Sequence, residues 1–185
     1  MNCLKKYDFL TPDECDKVVK IILSMEDSIK HIGPDIYSGT NNDSLSGRYY
    51  CFNFLKIENI YSILVPKLKK IFGSCTVQCW ANTFRRGEGI ELHTHTSDIN
   101  RCPQFVASAN IFLDGDPNIG TYYDGIKDIN KVGELLLFPP DMPHYVPKNQ
   151  TNNIRISMAL DIYVGSRDFM KTMATREPYR YVFIE

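Results

Sequence analysis

The sequence carries no excess of charge, and that absence narrows its partners first. Its 21 lysines and arginines stand against 22 aspartates and glutamates, a formal charge of −1. A general nucleic-acid binder shows a basic surplus, so general nucleic-acid binding is not expected. A small anionic ligand stays allowed, because one or two buried arginines suffice to hold it. No apolar run approaches the ~20 residues a helix needs to span a bilayer. "MNCLKKYDFL" has two lysines but no apolar stretch behind them. Neither a membrane segment nor a secretion signal is expected. The six cysteines, Cys3, Cys15, Cys51, Cys75, Cys79 and Cys102, contain no C-x-x-C pair. They read as small apolar fillers kept reduced in the cytoplasm. Repeats and low-complexity tracts are missing too. Histidine is scarce, at four residues, so its placement is informative.

What is present is ordinary for a globular chain: 185 residues, 43% hydrophobic and 23% charged. That is enough for one domain with its own core. "FLTPDECDKVVKIILSMEDSIK" predicts a helix. Thr11 sits three residues before Glu14, a capping-box spacing, and Pro12 suits the first helical position. Val18, Ile21, Ile22 and Met25 fall on one face. A polar loop follows in "HIGPDIYSGTNNDSLSGRYY", long enough to border a site. A second helix is predicted over Glu58 to Phe72, with Ile60, Leu64, Leu68 and Ile71 as its stripe.

From residue 75 the character changes to short β-prone segments separated by turn signals: "TVQCWANTF", "GIELHTH", "QFVASANIFLD", "GTYYDGI", "ELLLFPP" and "NIRISMALDIYV". Helices first and strands afterwards predict an α+β fold, with the N-terminal helices packed on one side of an antiparallel sheet or barrel. The chain divides into helical support and loop (1–74), a β core (75–164) and a tail (165–185) expected to lie back against the body.

Two of the four histidines share the tripeptide "HTH". Side chains alternate faces along a strand, so His93 and His95 are expected to point the same way and to converge on one metal ion. Gly87 and Gly89 let the backbone turn tightly ahead of them. A third, His144, follows the strand and proline-stiffened turn of "GELLLFPPDMPH", while His31 reads as a surface residue. Arg155 lies in the apolar stretch "IRISMAL", where an unpaired guanidinium is costly. Either it forms a structural salt bridge, with Asp161 or Glu134, or its fork clamps a ligand carboxylate.

"ELHTH", then "GELLLFPPDMPH", then "RIS" resemble the iron(II)- and 2-oxoglutarate-dependent oxygenases, in particular their prolyl-4-hydroxylase-like branch and the phage or bacterial 2-oxoglutarate oxygenase branch that often carries H-x-H. "FLTPDECDKVVK" is similar to the helix that begins many of them. The resemblance covers about Asp8 to Val164. It implies a double-stranded β-helix, the jelly-roll relative of cupins, with Fe(II) at its mouth. It implies a dioxygenase that hydroxylates a C–H bond of a peptide or small molecule and releases succinate and carbon dioxide. On the matching positions, His93 and His144 bind iron. Arg155 pairs with the far carboxylate of 2-oxoglutarate, and Ser157 of the same motif belongs on that side of the pocket.

The sequence departs from the family's pattern in two places. His95 stands where a carboxylate is usual, and Asp98 is the alternative ligand if the loop folds back. Phe112 stands where many relatives have a tyrosine that touches 2-oxoglutarate, so Asn82 or Asn110 is the candidate to donate a hydrogen bond instead. Either asparagine could equally sit in a turn or cap a strand edge. Trp80, Tyr122 and Tyr123 either line the mouth or pack the barrel. The loops Ile32 to Tyr49 and Asp98 to Gln104 are expected to set specificity, and neither names a ligand. The rivals are a metal-binding cupin without 2-oxoglutarate, a jelly-roll structural protein with vestigial histidines, and a zinc hydrolase. Oligomeric state stays open.

Overall fold

The computed structural model describes residues 4–32, 44–96 and 102–185. Helix α1 (Pro12–Lys30) begins as its sequence requires. The Glu14 N–H donates to Thr11 Oγ1 and the Thr11 N–H donates back to Glu14 Oε2, so two orphan donors of the first turn are satisfied at once. Val18 and Ile22 are fully buried, and Ile21 and Met25 flank them. Helix α2 (Glu58–Phe72) buries Ile60, Leu64 and Leu68, with Ile71 at the edge of the same cluster.

Both helices lie against a six-stranded antiparallel sheet in the order β1-β7-β4-β9-β2-β10. Its strands are β1 (Lys5–Asp8), β2 (Cys75–Phe84), β4 (Phe105–Asp114), β7 (Glu134–Phe138), β9 (Arg155–Tyr163) and β10 (Val182–Ile184). A smaller antiparallel sheet, β3-β8-β5-β6, contains β3 (Ile90–His93), β5 (Thr121–Tyr123), β6 (Ile126–Asp128) and β8 (His144–Val146).

The three central strands explain where chemistry can occur. Along β9, Ile156, Met158, Leu160 and Ile162 join the aliphatic core shared with the helices. The alternate residues Arg155, Ser157, Ala159 and Asp161 must therefore face the other way. β2 repeats the pattern, with Val77, Cys79 and Ala81 in the core and Gln78, Trp80 and Asn82 opposite. In β4, Ala109, Ile111 and Leu113 are core, whereas Ser108 and Asn110 are not. One face of the large sheet is thus hydrocarbon and the other is polar. In an antiparallel sheet a polar face normally meets water; here Gln78, Ser108, Arg155, Ser157 and Asp161 on that face are buried, so it marks a site.

The tail is more regular than its composition suggested. Helix α3 (Arg167–Arg176) is capped by Ser166, whose Oγ accepts from the Phe169 N–H, and β10 pairs antiparallel with β2. Strand β1, which carries no alternation, pairs with β7. Among the described residues no helix is long and apolar enough to cross a membrane. Cys15, Cys51, Cys75, Cys79 and Cys102 are all free.

Candidate metal centre

His93 ends β3 and His144 begins β8, and the ladder places them directly opposite each other. Their ring centroids are 4.1 Å apart. His95 joins them at 5.5 Å from His93 and 5.2 Å from His144, but not for the expected reason. The strand stops at His93, so pleat alternation does not carry the second ring inward. Instead the His95 N–H donates to the carbonyl of Pro140, 2.8 Å away in the proline-stiffened turn before His144. One ring nitrogen of each histidine lies within 4.8 Å of the others. Two donors ~2.1 Å from one ion stand at most ~4.2 Å apart, so a shift of about half an ångström closes the set on a single ion. Gly87, with φ of +86°, makes the turn ahead of β3. Gly89 lies so close to β8 that a Cβ there would meet the Val146 carbonyl at 2.6 Å.

The outward nitrogens fix the protonation of the rings. His93 Nδ1 lies 2.8 Å from the Glu91 carbonyl and His144 Nδ1 2.9 Å from the Met142 carbonyl. A carbonyl oxygen only accepts, so Nδ1 carries the proton in each, and Nε2 keeps its lone pair. His95 Nδ1 faces Asp161 Oδ1 at 3.0 Å and Ser108 Oγ at 2.9 Å. This is the outer-shell arrangement that orients imidazole ligands. Burial pushes His144 down to about 3, with His93 and His95 adding repulsion, and burial lowers His93 as well. Neutral rings with free lone pairs are what a divalent metal requires.

Arg155 is wholly buried. Neither salt bridge open to it in the sequence is made: Asp161 bonds to His95 and Ser108, and Glu134 pairs with Lys6 at 3.0 Å. Its Nε donates to the Ile119 carbonyl, Nη1 to Ser157 Oγ at 3.2 Å and Nη2 to Thr121 Oγ1 at 3.1 Å. Phe84 and Phe112 lie under the guanidinium at 5.8 and 5.6 Å. Among the described residues no carboxylate forms an ion pair with it, and burial lowers its pKa to about 10. Three neutral oxygens and two ring faces surround the buried guanidinium, and none of them carries a compensating negative charge.

A cavity connects the two features, lined by the three histidines, Trp80, Asn82, Asn110, Thr121, Tyr123 and Ser157. Both asparagines sit within strands and face it, so neither is a turn residue. Asn82 Oδ1 accepts from Ser46 Oγ at 2.7 Å, which ties the end of the Ile32–Tyr49 loop to the cavity wall. Tyr122 turns away and stacks on Tyr145 at 4.6 Å on the opposite face of the small sheet. Tyr123 faces inward, and its ring is buried against the cavity. Sequence reasoning left these neighbours undivided; the D-G turn at Asp124–Gly125 fixes the register and was the available signal. His31 caps the end of α1 and is exposed. Asp98 and most of both expected mouth loops lie outside the described residues.

Solved structures of similar fold include two prolyl hydroxylases and a non-heme monooxygenase. A prolyl-4-hydroxylase from Pseudomonas putida matches at 15% identity over 90% of each chain, with a TM-score of 0.53. The viral collagen prolyl hydroxylase of Paramecium bursaria Chlorella virus-1 matches at 15% identity over 88% of this chain and 90% of its own, also at 0.53. The non-heme monooxygenase ThoJ, as its nickel complex, matches at 16% identity over 84% of this chain and 70% of its own, with a TM-score of 0.57. At these identities the likeness is one of fold. No family model and no curated protein sequence matches the chain.

Proposed function

We propose that the protein is an iron(II)- and 2-oxoglutarate-dependent dioxygenase, built on a double-stranded β-helix, that hydroxylates a C–H bond of a peptide or small-molecule substrate. The observation that carries this reading is the pairing of two incomplete sites on one cavity. Three imidazoles offer lone pairs to an ion that only outside material can provide, and a buried guanidinium offers a charge that no described carboxylate neutralises. The donor set fits iron(II), since neutral imidazole is a good ligand for it. The guanidinium fits the far carboxylate of a keto diacid, which a planar fork can grip with two bonds.

His93, His95 and His144 would hold the metal, leaving positions open on the cavity side. Arg155 would orient the cosubstrate, assisted by Ser157 and Thr121, which already lie within reach of its fork. Asn82, Asn110 and the Tyr123 hydroxyl supply further polar contacts, and Trp80, Ile90 and Val146 shield the cavity from water. Iron(II) and 2-oxoglutarate, when bound, supply oxygen activation coupled to formation of succinate and carbon dioxide.

A second reading, a metal-binding cupin without 2-oxoglutarate, draws support from the all-histidine donor set. It leaves the burial of Arg155 without a purpose. Anaerobic addition of iron(II) and 2-oxoglutarate separates the two. The dioxygenase should develop a weak visible charge-transfer band that requires both additions and that Arg155→Ala abolishes or shifts to much higher cosubstrate concentration. Iron binding with no spectral response to 2-oxoglutarate would leave the cupin reading standing.

A further inference from the structure

We infer that Asp161 supplies, through His95, the negative charge that the three-histidine donor set lacks. The inference rests on the metal reading above and concerns how this chain makes an all-imidazole site serviceable. A divalent ion, a dianionic cosubstrate and the Arg155 guanidinium together leave one positive charge in a buried cavity. A buried net charge is costly, and one nearby carboxylate brings the sum to zero.

Asp161 is placed for that task. It is 3% exposed, on the cavity face of β9, directly across the ladder from Ser108 of β4. The Ser108 hydroxyl, itself 1% exposed, donates to Asp161 Oδ1 at 2.8 Å. The His95 N–H is shared between that oxygen at 3.0 Å and Ser108 Oγ at 2.9 Å. Among the described residues no lysine or arginine forms an ion pair with Asp161. Its hydrogen-bond partners are an imidazole and a hydroxyl, and an ion on the far side of His95 would set a fixed positive charge opposite it. His93 and His144 rest their outward nitrogens on backbone carbonyls, which carry no net charge. The described carboxylate hydrogen-bonded to a ring of the set is Asp161, at His95. Asp161 is a positioning and charge-balancing residue; it does not touch the ion.

A purely structural role predicts something different. An asparagine at 161 can still accept the His95 N–H, so ring orientation survives while the charge is lost. The test is anaerobic titration with cobalt(II), read by its visible bands, and with iron(II), on the folded protein and on Asp161→Asn. The expected result is cobalt affinity reduced about 10- to 100-fold, displaced cobalt bands and an apo melting temperature no lower than that of the parent protein. Parent-like affinity and bands in Asp161→Asn would overturn this inference alone. A parent protein that takes up neither ion would overturn the metal reading and this inference with it. The double variant His95→Asp/Asp161→Asn moves the carboxylate onto the ion and keeps the total charge. It must bind cobalt(II) at least as tightly as the parent, and binding weakened tenfold or more would overturn the inference even if the single variant does not fold.

Discussion

Arg155 and Asp161 stand near opposite ends of the same face of β9, with Ser157 and Ala159 between them, and neither charge answers the other. Each is turned to neutral or titratable neighbours that themselves line the cavity, Thr121 and Ser157 for Arg155 and His95 for Asp161, and no described lining residue carries a fixed charge. A chain selected only for stability would fill those positions with hydrocarbon, because buried ions are weak stabilisers and isolated ones are costly.

That reasoning predicts a trade between stability and binding at Arg155. Arg155→Met removes an uncompensated cation and keeps most of the side-chain volume. The apo variant should melt at the same temperature as the parent or higher. Added 2-oxoglutarate with an inert divalent metal should raise the parent's melting temperature and leave the variant's unmoved. The loss corresponds to about 2–5 kcal/mol of cosubstrate binding. A variant that is stabilised by the cosubstrate as strongly as the parent would refute the assignment.

The buried histidines predict how the apo protein responds to acid. Unfolded histidines take up protons below about pH 6.5, whereas His144 resists down to about 3 and His93 is also held low. The unfolded state therefore binds more protons between these limits. Stability is full above pH 6.5 and declines as pH falls toward 3, by at most ~1.4 kcal/mol per pH unit for each histidine. Denaturant titrations from pH 7 to 4.5 should show this slope, and His144→Gln should flatten it. An unchanged slope in the variant would place the titrating group elsewhere.

Below that window a different group takes over. The Glu26 carboxylate on α1 accepts both terminal nitrogens of Arg85, at 2.8 and 2.7 Å, and is also approached by Lys30 and Thr83. Against the opposing effect of burial, these partners hold it at about 2. Its contribution is present above the ordinary carboxylate range and lost as pH falls toward 2. Glu26→Gln should cost about 1–3 kcal/mol at neutral pH, less than a fully buried pair because Arg85 is part-exposed. Urea melts of the two proteins should differ most at pH 7, less at pH 3, and converge only as pH approaches 2.

Gly133 offers a backbone test. With φ of +78°, its carbonyl accepts from Phe9 and Leu10, and its N–H donates to Phe112. A Cβ there would lie 2.1 Å from the Leu10 carbonyl. Gly133→Ala should lower stability by at least ~1–3 kcal/mol, detectable as a lower urea midpoint, and should detach β1 before the rest of the sheet. Hydrogen exchange at Lys5 to Asp8 that matches the parent would contradict this.

Strong local patterns were legible in the sequence. Helix α1 could be read because its cap and its stripe agree, and α2 because four apolar residues repeat at helical spacing. The six β-prone segments all contain strands because alternation and turn residues coincide. The short strands β1 and β10 and the tail helix were not legible. Three or four residues carry no periodicity, and their pairing depends on partners more than a hundred residues away. At the site, the histidines were visible as a cluster. The bond that brings His95 inward comes from Pro140 and leaves no mark in local spacing. Nor does sequence alone reveal that Asp161 answers His95 and not Arg155, since both lie on the same face of the same strand.

The two-sided character of β9 also guards against misassembly. A slip of one residue in its pairing would turn Arg155 and Asp161 into the hydrocarbon layer beneath the helices and bring Ile156, Met158 and Leu160 into the cavity. Such a species would lose its core and its ligand pocket together. Folding errors in this strand are therefore self-eliminating, and a molecule that holds together at all presents its charges in working order.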